Sequence, residues 1–179
     1  VKEYVATIAL GATTPSFDLE TEIDARYPTG HITRELVEQT LPRFKGEISQ
    51  VPPSFSACKI EGRRAYEMAR SGEEVELKPK TLVIDELELL EFSPESITLR
   101  VVCSKGTYIR ALARDIGEAL GSGGHLTALR RTRVGEVTED ICLTVDQAVE
   151  LIRTVELTFP DDFTPPARRK SAPMSKQSE

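Results

Sequence analysis

Basic side chains occur in three short clusters, each beside a glycine or an expected helix end. They are Lys59, Arg63 and Arg64 in the first cluster, Lys105 and Arg110 in the second, and Arg130, Arg131 and Arg133 in the third. Ammonium and guanidinium groups bind phosphate oxygens, and a guanidinium can also grip a carboxylate with two parallel hydrogen bonds. The clusters therefore favour two chemistries: contact with a phosphate backbone, and orientation of an acid.

The charge of the whole chain hides these clusters. The formal net charge is −6, but residues 101–135 carry six basic and two acidic side chains, and residues 51–72 carry four and two. A local basic patch is sufficient for phosphate contacts in an acidic protein. The alternative is a mixed, solvated surface with incidental charges, and charge alone favours that alternative.

Other chemistries find little support in the sequence. The sequence has no CxxC pair and no compact set of metal ligands among its two histidines and three cysteines, which are His31, His125, Cys58, Cys103 and Cys142. We therefore expect no metal site, and we expect the cysteine thiols to be reduced. No apolar run approaches the ~20 residues of a membrane span, and the N-terminus does not resemble a secretory signal. We expect a cytoplasmic protein with no membrane partner.

The pattern of apolar residues predicts the elements that must position the basic clusters. Residues 2–11 predict a strand ending at a glycine, and residues 12–30 predict a loop. Two further strands are predicted over 81–92 and 95–104, the second with alternating apolar residues. Helices are predicted from Thr33 to about Arg43, over 62–72, over 107–120, from HLTALRR onward, and over 143–152 with Thr144 as its cap.

The segment SKGTYIR joins the second of these strands to the best predicted helix. It places Lys105, Tyr108 and Arg110 around a helix N-terminus, where exposed backbone N–H groups favour phosphate or carboxylate. A simple helix start with solvated charges explains the same segment. Taken alone, these residues slightly favour that simpler explanation over an anion-binding site.

Longer strings of sequence identify a family. The segments KEYVATIALGATT, VPPSFSACKIEGRRAYEMARSG and VCSKGTYIRALARDIGEALGSGGHLTALRRTRVGEV closely resemble the TruB-type tRNA pseudouridine synthases. The similarity runs from residue 2 to about residue 152 with order and spacing kept. It implies isomerisation of the T-loop uridine of tRNA (position 55 of tRNA), without a cofactor or catalytic metal.

The resemblance also implies roles for individual residues. Tyr4 matches the active-site tyrosine that packs against the target base, and Arg110 matches the arginine that pairs with the catalytic aspartate. Tyr108 lies close to that pair in this interpretation. Leu129 matches an apolar residue that lines the uracil pocket, and Tyr108 and Leu129 are both expected in the substrate pocket. Lys59 matches a family lysine near the RNA-facing side. The basic clusters and Arg114 add the other expected RNA-binding residues, which are Arg63, Arg64, Lys105, Arg114, Arg130 and Arg131.

The sequence departs from the family pattern in one essential place. The nucleophilic aspartate of the family belongs to a Gly-x-Leu-Asp-Pro motif upstream of the strand that opens this chain, and no aspartate of the 179 residues has such a setting. The loop 14–27 also differs from the Asp-rich version typical of the family. We therefore expect this chain alone to be inactive, with Arg110 exposed, paired with another acid, or poorly ordered.

The resulting hypothesis is an α/β (α+β) chain with a mixed, mostly antiparallel sheet flanked by helices. Residues 1–157 are expected to form the C-terminal part of a pseudouridine synthase catalytic domain, and residues 158–179 a disordered Pro- and basic-rich tail. The expected partner is the tRNA T-arm, bound by a monomer. Two alternatives stay open: a non-catalytic module that binds or folds tRNA, and a generic soluble domain with incidental basic clusters.

Overall fold

The computed structural model describes residues 1–56, 59–60, 63–71 and 77–154. The strands in these ranges are β1 (Lys2–Leu10), β2 (Ala12–Thr13), β3 (Ala25–Arg26), β4 (Gly46–Gln50), β5 (Lys59–Ile60), β6 (Arg63–Arg64), β7 (Lys80–Ser93), β8 (Ser96–Cys103), β9 (Gly124–Val134) and β10 (Val137–Thr138). The helices are α1 (Arg34–Thr40), α2 (Ala65–Arg70), α3 (Ile109–Ala119) and α4 (Val145–Thr154), with short 3₁₀ helices at Leu41–Phe44 and Glu139–Ile141.

Six strands form one sheet in the order β10-β9-β1-β8-β7-β4. β1 lies inside this sheet, where Ala6 faces Leu99 of β8 on one side and Leu129 of β9 on the other. Every pairing among the described residues is antiparallel. The expected α/β (α+β) class with a mostly antiparallel sheet and flanking helices is confirmed.

The core lies between the sheet and α3. The alternating side chains Ile97, Leu99 and Val101 of β8 are fully buried, as the sequence predicts. The apolar stripe of α3 is also buried, and the helix packs against β9 and β1. Each buried leucine or isoleucine of this kind stabilises the fold by about 1.5–3 kcal/mol. The stripe therefore fixes α3 and every side chain that it carries.

Two glycines let α3 approach the sheet closely. A β-carbon at Gly117 of α3 would lie 2.7 Å from the Cα of Gly124, at the start of β9. A real side chain cannot occupy that space, so the packing of α3 on β9 requires glycine at this crossing.

One predicted helix is wrong. HLTALRR begins β9 and is not helical. Leu126 and Leu129, three residues apart, would share a helix face. On the strand, a bulge next to Thr7 and Ile8 places Leu126 across from Ile8 and Leu129 across from Ala6, so both leucines lie on the core-facing side of β1 and β9. Leu126 is buried there and Leu129 is 47% exposed. The inner strand β1 needs a hydrogen-bonding neighbour on this side, and that pairing outweighs the local pattern.

The other predicted helices and strands are present within the described residues, with shifted ends. The helix predicted over 62–72 is α2, Ala65–Arg70, with positions 62 and 72 outside the described residues, and the predicted loop 12–30 contains the short strands β2 and β3. β1 ends at Leu10. Thr33 caps α1 by accepting the Leu36 N–H, and a 3₁₀ helix carries the chain on to Phe44. Thr144 accepts the N–H of Gln147 at 3.2 Å and so caps α4.

The chain divides into two compact units, Val1–Cys142 and Leu143–Glu179. The expected tail 158–179 lies outside the described residues, so the domain assignment stays a prediction. Among the helices that the structure describes, none combines the length and hydropathy of a membrane span.

Candidate active site

The first turn of α3 carries Arg110, whose side chain is largely buried. Its Nη1 donates to Oδ2 of Asp18 at 2.9 Å, and its Nη2 donates to the carbonyl oxygen of Phe55 at 2.8 Å. The side chain of Arg110 is 21% exposed and that of Asp18 is 24% exposed. Arg110 is therefore paired with another acid, which is one of the states expected from the sequence.

Asp18 is held in its charged form by several donors. Burial by itself would raise its pKa, but hydrogen bonds from the Ser16 hydroxyl and the Glu20 N–H, together with the Arg110 guanidinium, lower the pKa below its ordinary value. The Ser16 bond is 2.6 Å and the Glu20 bond is 2.9 Å. An ionised carboxylate thus faces Arg110 at neutral pH.

The loop that carries Asp18 is fixed to its surroundings on both sides. Phe17 has a φ of +62°, a left-handed conformation that costs free energy in a residue with a bulky side chain. Its carbonyl oxygen accepts the N–H of Leu126 in β9 at 2.9 Å. Its ring lies under the guanidinium of Arg114, 4.7 Å from the centroid. These contacts hold the loop between α3 and β9.

A shallow, largely open cavity of about 270 Å³ lies beside this loop. Its lining residues are Asp18, Leu19, Glu20, Leu126, Thr127, Ala128 and Leu129. One wall is therefore a carboxylate-bearing loop, and the other is the edge of β9 with its leucines. The volume is close to the lower end of small-molecule sites, roughly 300 Å³. The cavity brings the predicted pocket residue Leu129 together with the acid that holds Arg110.

The two candidate tyrosines lie on neighbouring elements. Tyr4 of β1 is paired in register with Arg131 of β9, and its half-buried side chain packs against the core. Leu129 lies two residues from Arg131, so Tyr4 and the cavity belong to adjoining strands. Tyr108 immediately precedes α3, and its N–H donates to Oε1 of Gln50 at 2.9 Å.

The described basic residues differ in how free they are to contact phosphate. Lys105 and Arg131 are exposed, and the described part of the chain gives neither of them an ion pair. Arg130 donates to Glu139 at 2.5 Å. Arg114 is paired with Asp115 at 2.7 Å, where burial raises the pKa of the carboxyl group and Arg114 opposes that rise. Lys105 and Arg131 are thus the most available cations of the second and third clusters.

The first basic cluster is described only by its backbone. Lys59 of β5 is paired with Arg64 of β6, and Arg63 is paired with Ile60. The side chains of Lys59, Arg63 and Arg64 lie outside what the structure describes, as does Cys58. Their contact with RNA stays a prediction.

Sequence reasoning missed Asp18. It lies 92 positions before Arg110, in a segment without helical or strand periodicity, so no local pattern connects the two. The available signal was local: Ser16, Asp18 and Glu20 are spaced for the side-chain-to-backbone turn that aspartate favours in loops. Within the described ranges, no three histidine, cysteine, aspartate or glutamate side chains are grouped to hold a metal ion.

The chain is similar in sequence to a family of pseudouridylate synthases. Residues 1–109 match the family described as "TruB family pseudouridylate synthase (N terminal domain)", and residues 110–159 match "tRNA pseudouridylate synthase B C-terminal domain". The tRNA pseudouridine synthase B of Parabacteroides distasonis is 72% identical over 146 residues, which cover 82% of this chain and 62% of that protein. The chain thus spans less than two thirds of this curated relative.

Two solved structures are similar to the chain. A Cbf5–Nop10–Gar1 complex matches with a TM-score of 0.54 and 33% identity, covering 78% of this chain and 32% of the matched chain. An H/ACA RNP bound to a substrate RNA containing 2′-deoxyuridine matches with a TM-score of 0.50 and 29% identity, covering 78% and 30%. In both, the matched region is under one third of the larger chain.

Proposed function

We propose that the protein isomerises the T-loop uridine of tRNA to pseudouridine, since this chain belongs to the TruB family of pseudouridylate synthases. The observation that carries the proposal is the Asp18–Arg110 pair beside the cavity lined by Leu129. A clamped guanidinium next to a small, partly apolar cavity suits a reaction in which an acid must be oriented close to a bound base.

The proposed reaction breaks the N1–C1′ glycosidic bond and joins C5 of the uracil to C1′. The proton on C5 is then lost, and N1 gains a proton, so the base is rearranged without net change in composition. Because the target base is inaccessible inside a stacked loop, it must leave the stack to reach the cavity. The family's aspartate acts on the sugar, and the Gly-x-Leu-Asp-Pro motif that bears it is not among these 179 residues.

Arg110 retains the hydrogen-bonding capacity that this role requires. A guanidinium has five N–H donors, and the bonds to Asp18 and to the Phe55 carbonyl use one N–H on each terminal nitrogen. Three N–H groups are left for a second carboxylate. Asp18 and Phe55 can thus hold the guanidinium in place while Arg110 orients the reacting aspartate.

The other site residues supply the surroundings of the base. Tyr4 covers one face of the uracil, and Leu129 keeps the detached base in the cavity. Tyr108 sets the start of the helix that carries Arg110. Lys105 and Arg131 contact phosphates of the T-arm, together with the side chains of Lys59, Arg63 and Arg64. We further propose that the protein acts as a cytoplasmic monomer without a cofactor.

Tritium release tests this function. A protein of the relatives' full length that includes this chain is mixed with a T-arm hairpin labelled with tritium at C5 of uridine. We expect release approaching one tritium per hairpin from the T-loop uridine, and none from a hairpin with cytidine at that position. The 179-residue chain alone is expected to release none. Tight hairpin binding without release by the longer protein would instead support a non-catalytic RNA-binding module.

A further inference from the structure

Gln50 is a buried amide at the junction between the sheet and α3. It is the last residue of β4, it is 1% exposed, and its Oε1 accepts the N–H of Tyr108 at 2.9 Å. Tyr108 makes no capping bond with its own side chain. Gln50 therefore satisfies one of the backbone donors that every helix leaves unpaired at its N-terminus.

The other half of the same amide is unsatisfied. Nε2 of Gln50 is buried and has no hydrogen-bond partner among the described residues. A buried donor without an acceptor costs free energy, and such groups are rare in folded proteins. A methionine of similar size would avoid this cost. Packing alone therefore does not favour glutamine at this position, whereas a role for its carbonyl oxygen does.

The chain that follows Gln50 is tied to the same helix. The Val51 carbonyl oxygen accepts a hydrogen bond from Nη2 of Arg114 at 3.2 Å, and the Phe55 carbonyl oxygen accepts one from Nη2 of Arg110 at 2.8 Å. Residues 50–55 thus contact the N-cap and the first two turns of α3 at three points, and of these three contacts only that of Gln50 is made to a backbone group. A displacement at Gln50 would move both the first turn of α3 and the Phe55 carbonyl that holds Arg110.

We propose that Gln50 is a positioning residue for Arg110. Its amide oxygen fixes the backbone of the first turn of α3, and through it the distance from the Arg110 guanidinium to Asp18. The catalytic part of this inference rests on the proposed function, in which Arg110 orients the reacting aspartate. Small misplacements of such a group lower rates by up to about 100-fold.

The first test measures stability and requires no catalytic activity. In the 179-residue chain, the loss of unfolding free energy caused by Arg110→Ala is compared between the wild-type and Gln50→Met backgrounds in a double-mutant cycle. If Gln50 positions Arg110, the loss in the Gln50→Met background is at most about half of that in wild type. Equal losses would overturn the proposal. Gln39→Met, at an exposed glutamine of α1, is the matched control.

The second test is kinetic and uses a protein of the relatives' full length. Gln50→Met is expected to lower kcat at least about tenfold with KM within about twofold, whereas Gln50→Glu, which keeps an oxygen acceptor for Tyr108, retains kcat within about threefold. Gln50→Met combined with Arg110→Lys should be no slower than Arg110→Lys alone. Additive losses would contradict a role through Arg110. A wild-type protein without activity would overturn the proposed function, and the stability cycle would still decide the role of Gln50.

Discussion

Replacing Arg110 by alanine removes the central contact of the candidate site. The ion pair with Asp18 is 2.9 Å long, with side chains 21% and 24% exposed, and hydrogen bonds to charged groups contribute roughly 1.5–3 kcal/mol each. Residual solvent access lowers this value, and Asp18 keeps its bonds to Ser16 and Glu20. We therefore expect Arg110→Ala to lower the unfolding free energy of the chain by about 2 kcal/mol.

Urea unfolding at neutral pH measures this loss directly. The matched control is Arg34→Ala, because Arg34 forms an ion pair with Glu38 in which the side chains are 47% and 54% exposed. Pairs of that kind contribute roughly 0.3–0.5 kcal/mol. Without Asp18, Arg110 would be an ordinary surface arginine costing well under ~1 kcal/mol. A loss for Arg110→Ala no larger than that for Arg34→Ala would refute the reasoning.

Three further predictions concern charge and packing. Asp18→Asn should have a lower free energy of unfolding than wild type at neutral pH. Acid titrations should show this difference shrinking as the pH falls below about 4, because the lowered pKa of Asp18 confers stability that is lost when the carboxylate is protonated. Gly117→Ala should lower the unfolding free energy by more than about 2 kcal/mol despite the better helix propensity of alanine, since its β-carbon would collide with Gly124; an unchanged urea midpoint would exclude this close packing. Arg131→Gln and Lys105→Gln should each reduce the slope of log K against log salt for T-arm binding by about 0.7–0.9 in filter-binding titrations, and an unchanged slope would remove that residue from the interface.

The sequence could predict the elements that rest on strong periodicity. The stripe of α3 and the alternation of β8 bury the same face in the structure as in the pattern, because each is long enough to show its period. β9 could not be predicted in this way. Leu126 and Leu129 fit a helix face locally, and only pairing with β1, more than 100 residues earlier in the chain, decides for a strand.

The sequence predicts only part of the candidate site, because local patterns do not show contacts between distant parts of the chain. Arg110 and Leu129 belong to segments whose residue types can be matched locally to a family. Asp18 and Gln50 could not be found in that way, because each acquires its role from a contact with α3 across a long stretch of chain. Charge spacing predicted the basic clusters, but it could not show that Arg130 is paired with Glu139 whereas Arg131 is without an ion pair in the described structure.

The rate and affinity of Arg110→Ala in a protein of the relatives' full length test the central claim most directly. Tritium release from the T-arm hairpin gives kcat, and a filter-binding titration gives Kd for the same RNA. If the Asp18–Arg110 pair orients the reacting acid, kcat should fall at least about 100-fold while Kd changes by less than about threefold. Equal losses of kcat/KM and of affinity would show that Arg110 is mainly a phosphate contact and would contradict the account.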